Sequence, residues 1–274
     1  MVGKLMKYDF MSFFRLLLPV QLIIIGIAAI NRIIQIFESS DTSAYHIAFV
    51  SSIVLLVISC LVALVMTVVI AIVRFYQGLY SKEGYLSHTL PVTPAQHILS
   101  KLLVSVIFEI GTVFSIFLAL NVALGGEVAL ELYKAGFFLF GKAFGLYHVH
   151  VILFIIELVL GLLTQAATFL LTLYFCISIG QLANRRKILL AFGVFFGLYV
   201  AVQILLTIFI ILGIALSSNP GWLDFLERIV DWASKHLIAW IHIIAWISII
   251  LNAVIGFVFF LVSKTIMTKR LNLN

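Results

Sequence analysis

Apolar residues fall along this chain in six long, nearly unbroken runs, roughly Leu16–Phe37, Ile47–Val73, Leu102–Leu124, Val149–Ile179, Ile188–Leu216 and Leu237–Ser263. An α-helix needs about 20 apolar residues to cross the hydrocarbon of a bilayer, and each run meets that length. Transmembrane β-strands would instead give short segments of alternating polarity. The pattern therefore predicts an all-α, polytopic fold with six spans in one transmembrane domain over 1–274.

The polar stretches between the runs have patterns of their own. Met6, Phe10, Phe13 and Leu17 recur at helical spacing, while Lys4, Lys7 and Arg15 fall on another face. This predicts an amphipathic helix lying on the membrane over 1–15, with Pro19 at the bend into the first span. The plainer alternative is an extension of that span. No small-x-small cleavage site follows the first apolar run, so the start does not read as a signal peptide. Near the other end, Asn219 and Pro220 suit the cap and first turn of a helix. Trp222, Leu226, Ile229, Ala233 and Leu237 then share one face, which predicts an external amphipathic helix over 217–236. Val128–His150 forms a second external segment.

The longest polar connection runs from Arg74 to Lys101, far more than a hairpin between spans requires. Its centre is "EGYLSHTLPVTPAQHILSK". Gly78 and Gly84 are placed where a helix should weaken and turn. Thr93, Pro94 and Gln96 have the arrangement of a capping box with proline in the first turn. Two helical pieces should therefore meet near Leu90–Pro91–Val92. An ordered elbow of this length suits a docking surface; a loop resting on lipid headgroups is the alternative.

Composition strengthens the membrane assignment: 64% of residues are apolar and 10% charged. A soluble protein of this size normally carries far more charge. The 17 Lys and Arg residues divide 12 to 5 between the two sides that six spans define. The richer side holds both termini and the elbow, and the positive-inside rule makes it cytoplasmic, in the plasma membrane. The net charge of +6 is thus a topology signal. No basic patch is interleaved with exposed aromatics, which argues against nucleic-acid binding. Cys60 and Cys176 both lie inside predicted spans and form no disulfide or zinc pattern.

Candidate chemistry within the spans is sparse. Glu109 lies roughly 12 Å beyond Lys101 along its helix, and Glu157 a similar distance in from the opposite side. Intramembrane carboxylates are candidates for a translocation path; each could equally be hydrogen-bonded to a neighbouring helix. Gln21, Asn121, Gln165, Gln203 and Asn252 suit helix–helix hydrogen bonds. His148 and His150 are two apart, so a helix would point them away from each other and a metal would need further ligands. No cofactor is expected. A phosphate-binding G-x-x-x-x-G-K-[ST] loop is absent, and no hydrophilic stretch could hold a nucleotide domain. The chain is not expected to be an enzyme.

The elbow resembles the first cytoplasmic loop of ABC-2-type permeases, the membrane subunits of one class of ATP-driven exporter. The likeness lies in Glu83, Gly84, Leu86, Leu90, Pro91, Val92, Thr93, Ser100 and Lys101. The opening "KLMKYDFMSFFRLLLP" is similar to that family's entry helix, and six spans agree with its topology. The resemblance implies a coupling helix, with Glu83, Gly84, Tyr85, Leu86, His88, Leu90 and Pro91 contacting a separate ATP-binding subunit. It also implies a second permease copy or a paralogue in the bilayer. An apolar translocation path would suit a hydrophobic or amphipathic substrate, and drug, peptide and lipid all fit it. The alternative is an ATP-independent proton-coupled carrier or a membrane scaffold; no sequence repeat between the halves favours a carrier.

Overall fold

The computed structural model describes residues 2–37, 43–81, 92–147, 151–183 and 185–269, and these are helical with short connections. In chain order the helices are α1 (Val2–Ile36), α2 (Ser43–Tyr80), α3 (Pro94–Leu124), α4 (Gly126–Tyr147), α5 (Val151–Gly180), α6 (Lys187–Leu216), α7 (Pro220–Lys235) and α8 (Leu237–Lys269). Six of them, all except α4 and α7, are long and apolar enough to cross a membrane. The protein is a polytopic all-α membrane protein, as the pattern of runs predicts. It forms two compact units, Met1–Ala143 and Phe144–Asn272.

In the first unit α1 and α3 lie side by side and run parallel. Asp9 meets Lys101, Phe13 stacks on Phe108, Gln21 reaches Thr112, and Gln35 reaches the carbonyl of Ala123. The α2 helix runs the other way. Ser52, near its start, accepts from Asn31 near the end of α1 at 2.8 Å, and Thr67 bonds Thr112 at 2.8 Å. Ile24, Ala28, Leu56, Ala63, Ala119 and Ala123 form the apolar seam where the three helices meet. Four of those six are alanine. Lipid is as apolar as leucine, so helices in a membrane gain by close backbone approach and dispersion rather than by leaving water, and small residues permit that approach.

The α1 helix corrects two expectations. It is continuous from Val2 to Ile36, through Pro19, so residues 2–15 are its first turns and not a separate interfacial helix. Proline removes one backbone hydrogen bond and commonly kinks a helix. Here Phe13 and Leu17 before it, and Ile24 after it, are fully buried, so packing holds the axis on both sides. Half of the apolar face predicted to meet lipid, Phe13 and Leu17, is covered by protein instead, with Phe13 against Phe108 of α3; Phe10 remains 42% exposed. At 35 residues α1 is about 50 Å long, and α2 is longer still, so both outreach a hydrocarbon core of about 30 Å.

In the second unit α5 and α8 are the parallel pair. Glu157 meets His242, Thr168 meets Asn252, and Phe175 stacks on Phe259 with ring centroids 4.6 Å apart. The α6 helix turns back on the end of α5 where Gly180 faces Ala191. No residue of α6 is buried, which suits a helix apolar on every side. The amphipathic helix expected over 217–236 appears as α7. Asn219 caps it by accepting from the Gly221 amide at 3.0 Å, and Pro220 opens it. Its least exposed residues, Trp222, Ile229 and Ala233, belong to the predicted apolar face. The segment 128–150 is mostly the helix α4, joined to α3 by a hydrogen bond from the Tyr133 hydroxyl to Asn121.

Candidate functional site

Among the described residues, two places bear on function, one in each unit. The first is the root of the elbow. Glu83, Gly84, Tyr85, Leu86, His88, Leu90 and Pro91 lie outside the described residues, and the root is what the structure describes. α2 stays helical to Tyr80, with Phe75 and Leu79 fully buried. α3 begins under the predicted capping box. The Thr93 hydroxyl accepts from the Gln96 amide at 3.4 Å, and the Thr93 amide donates to the Gln96 side chain at 3.0 Å, with Pro94 in the first turn. These bonds satisfy amides that a helix start leaves without partners.

One turn further, Ser100 and Lys101 both reach Asp9 of α1, at 2.9 Å and 3.0 Å. The Lys101 side chain is only 9% exposed. It lies over Gly78, where a Cβ would stand 2.6 Å from Nζ. Gly78 was expected to weaken a helix at a turn; α2 instead continues past it, and glycine serves to make room for a buried cation. Asp9 was missed from the sequence. The signal was available, since Asp9 is the one acid among the first 37 residues, between Lys4, Lys7 and Arg15.

Deeper in the first unit, Thr112 is the centre of a small hydroxyl network. Its Oγ1 donates to the Phe108 carbonyl at 2.9 Å, lies 2.8 Å from Thr67 Oγ1, and accepts from Gln21 at 3.4 Å. Of the expected helix-linking amides, Gln21 and Asn121 do join neighbouring helices. The side chains of Gln203 and Asn252 bond within their own helices, although the Asn252 carbonyl accepts from Thr168. Glu109 is half-buried on α3, with Oε2 enclosed and without a hydrogen-bond partner among the described residues.

The second place is the start of the α5–α8 seam. Glu157 is 3% exposed, and its Oε2 lies 2.6 Å from Nδ1 of His242. The remaining atom of each group, Glu157 Oε1 and His242 Nε2, is buried without a partner among the described residues. Glu157 was expected either to line a path or to bond a neighbouring helix, and the hydrogen bond is present. Its partner was not foreseen: a lone histidine in an apolar run has no periodic signal, and only the parallel packing of α5 on α8 sets the two at one level. Glu109 and Glu157 belong to different units, so each is read within its own. His148 and His150 lie outside the described residues. Among those described, no group of three His, Cys, Asp or Glu side chains could hold a metal.

Fold and site together define a polytopic α-helical membrane protein with a braced elbow root in one unit and a buried carboxylate–imidazole pair in the other. Comparisons with protein-family models, with characterised proteins and with solved structures find no match to the chain.

Proposed function

We propose that the chain is the membrane subunit of an ATP-driven exporter, working with a separate ATP-binding subunit and a second permease copy or paralogue. Its substrate class is hydrophobic or amphipathic. The observation that carries this reading is the mounting of the elbow. A loop that only rests on lipid has no need of fixed ends. Here one end leaves a helix with fully buried Phe75 and Leu79, and the other enters a helix under a complete capping box. The Asp9–Lys101 pair then ties that second helix to α1, and Lys101 packs over Gly78 of α2. A force on the elbow would pass directly into α1, α2 and α3. The likeness of Glu83–Lys101 to a coupling segment supports the same reading.

The test is co-expression with the stand-alone ATPase encoded nearest to this chain, followed by co-purification and ATP-dependent transport. Truncating an apolar anchor in a docked interface costs about 2 kcal/mol or more, roughly 30-fold in affinity. Tyr85→Ala with Leu86→Ala should therefore break assembly, while the isolated permease stays monodisperse. Assembly and transport at the wild-type level in that double variant would remove the elbow as the coupling site, and the exporter reading with it.

A further inference from the structure

Thr168 shows how α5 and α8 are joined where only packing is at stake: its hydroxyl donates to the Asn252 carbonyl at 2.9 Å, directly from one helix to the other. Glu157 and His242, eleven and ten residues earlier on the same two helices, are joined differently. Two ionisable groups meet through Oε2 and Nδ1 at 2.6 Å, and each keeps a second polar atom, Oε1 and Nε2, buried and without a partner among the described residues. An unsatisfied buried polar atom is destabilising, so a purely structural clamp would not be built this way twice over.

The chemistry of the pair names its ligand. With both groups deprotonated the pair carries one negative charge; with one proton it is neutral; with two it is positive. The free atoms are shut away from solvent, which excludes a larger ligand, and the described residues offer no third donor for a metal. We propose that Glu157 and His242 form a proton-binding dyad, a site that takes up and releases one proton and so sets the charge between α5 and α8. An incoming proton bonds to the lone pair of Nε2. The resulting imidazolium gives its Nδ1 proton to Oε2, the N–H bond breaking as the O–H bond forms, and the net change is one proton gained. Along their helices, His242 is five residues, about 8 Å, from the start of α8, and Glu157 six residues, about 9 Å, from the start of α5. The dyad stands whether or not an ATPase docks on the elbow.

The surrounding elements add little charge. α6 brings Lys187, placed at Gly180, 23 residues along α5 from Glu157, and Tyr199. α7 brings Asp224, Glu227, Arg228, Asp231 and Lys235, the last held by Asp231 at 2.7 Å; none of these five is bonded to the dyad. His236 follows α7 with its ring beside Trp232. Tyr174 and Cys176 on α5, and Lys264 and Lys269 on α8, lie much further along their helices.

The experiment is infrared difference spectroscopy of the full chain in lipid nanodiscs, stepped from about pH 4 to about pH 9, with isotope-labelled Glu and His. A carboxyl band assigned by its loss in Glu157→Gln, and a ring band assigned by its loss in His242→Gln, should rise and fall over one shared interval. Each substitution should move the other group's midpoint by about one pH unit or more, the mark of coupled sites. Bands that stay constant across the range in folded protein, or that titrate with midpoints indifferent to the partner's removal, would overturn the dyad. If Glu157→Gln does not fold, His242→Asn supplies the same comparison, since loss of the ring must then displace the Glu157 band.

Discussion

At the level of single residues, the chain's polar side chains act as positioned partners more than as surface. Asp9 holds both Ser100 and Lys101, and Lys101 can lie where it does only because residue 78 has no side chain. Removing one member of a fully buried ion pair costs about 3–5 kcal/mol, because the other is left buried and unpaired. Asp9 keeps a fifth of its side chain accessible, so Asp9→Asn should cost less, about 2 kcal/mol. Gly78→Ala should act on the same pair by displacing the Lys101 ammonium. A double-variant cycle of Asp9→Asn and Gly78→Ala, read by detergent unfolding, should be strongly non-additive. Simple addition of the two effects would mean that Gly78 has another role. Asp9 and Gly78 were both visible in the sequence, one unremarked and the other assigned to a turn. Their connection spans helices far apart in the chain, and no local pattern encodes it.

At the level of helices, small residues decide which faces meet. A Cβ at Gly256 would stand 2.9 Å from the Thr168 hydroxyl and 3.4 Å from Leu171, and would disturb the bond from Thr168 to Asn252. At Gly180 a Cβ would meet the Lys187 carbonyl at 2.7 Å and the Ala191 Cβ at 2.8 Å. The first obstruction is largely side chain and the second includes backbone, which cannot swing aside. Overpacking of this kind costs about 1–3 kcal/mol. Gly256→Ala should fall at the lower end of that range and Gly180→Ala at the upper end or above. Thermal unfolding of the purified variants would check the ranking; Gly180→Ala as stable as wild type would show that α5 and α6 do not approach this closely. Helix ends were the most legible part of the sequence. Thr93, Pro94 and Gln96, and likewise Asn219 and Pro220, act within a few residues of one another, so their chemistry is local and can be read directly. Pro19 was the exception, because tertiary packing on both sides outweighed a local rule.

At the level of the whole molecule, six long apolar helices make a multi-pass protein, and the distribution of Lys and Arg makes a prediction about its orientation. A cysteine placed at Ser218, beside α7, should react with an impermeant reagent applied to intact cells; one at Ser81, at the elbow root, should react only after the membrane is opened. The background has Cys60 and Cys176 replaced by alanine. Labelling of Ser81→Cys from outside would reverse the topology and place the elbow away from any cytoplasmic ATPase. Both units share a layout in which the first and third long helices pair in parallel and the second runs against the first. The sequence carries no repeat that announces this, since apolar side chains facing lipid are interchangeable and preserve no pattern.

What the sequence alone determined is the class: the number of spans, their approximate limits, the caps of α3 and α7, and the two intramembrane carboxylates. Each of these follows from run length or from neighbours a few residues apart, where solvation and backbone hydrogen bonding act locally. What the tertiary structure alone decided is partnership. The pairing of Asp9 with Lys101, of Thr67 with Thr112, and of Glu157 with His242 joins residues between 45 and 92 positions apart. In a chain that is apolar on nearly every helix face, hydrophobicity cannot single out the face that meets protein from the faces that meet lipid. Close packing of glycine, alanine and threonine makes that choice, and it sets the few polar groups opposite one another.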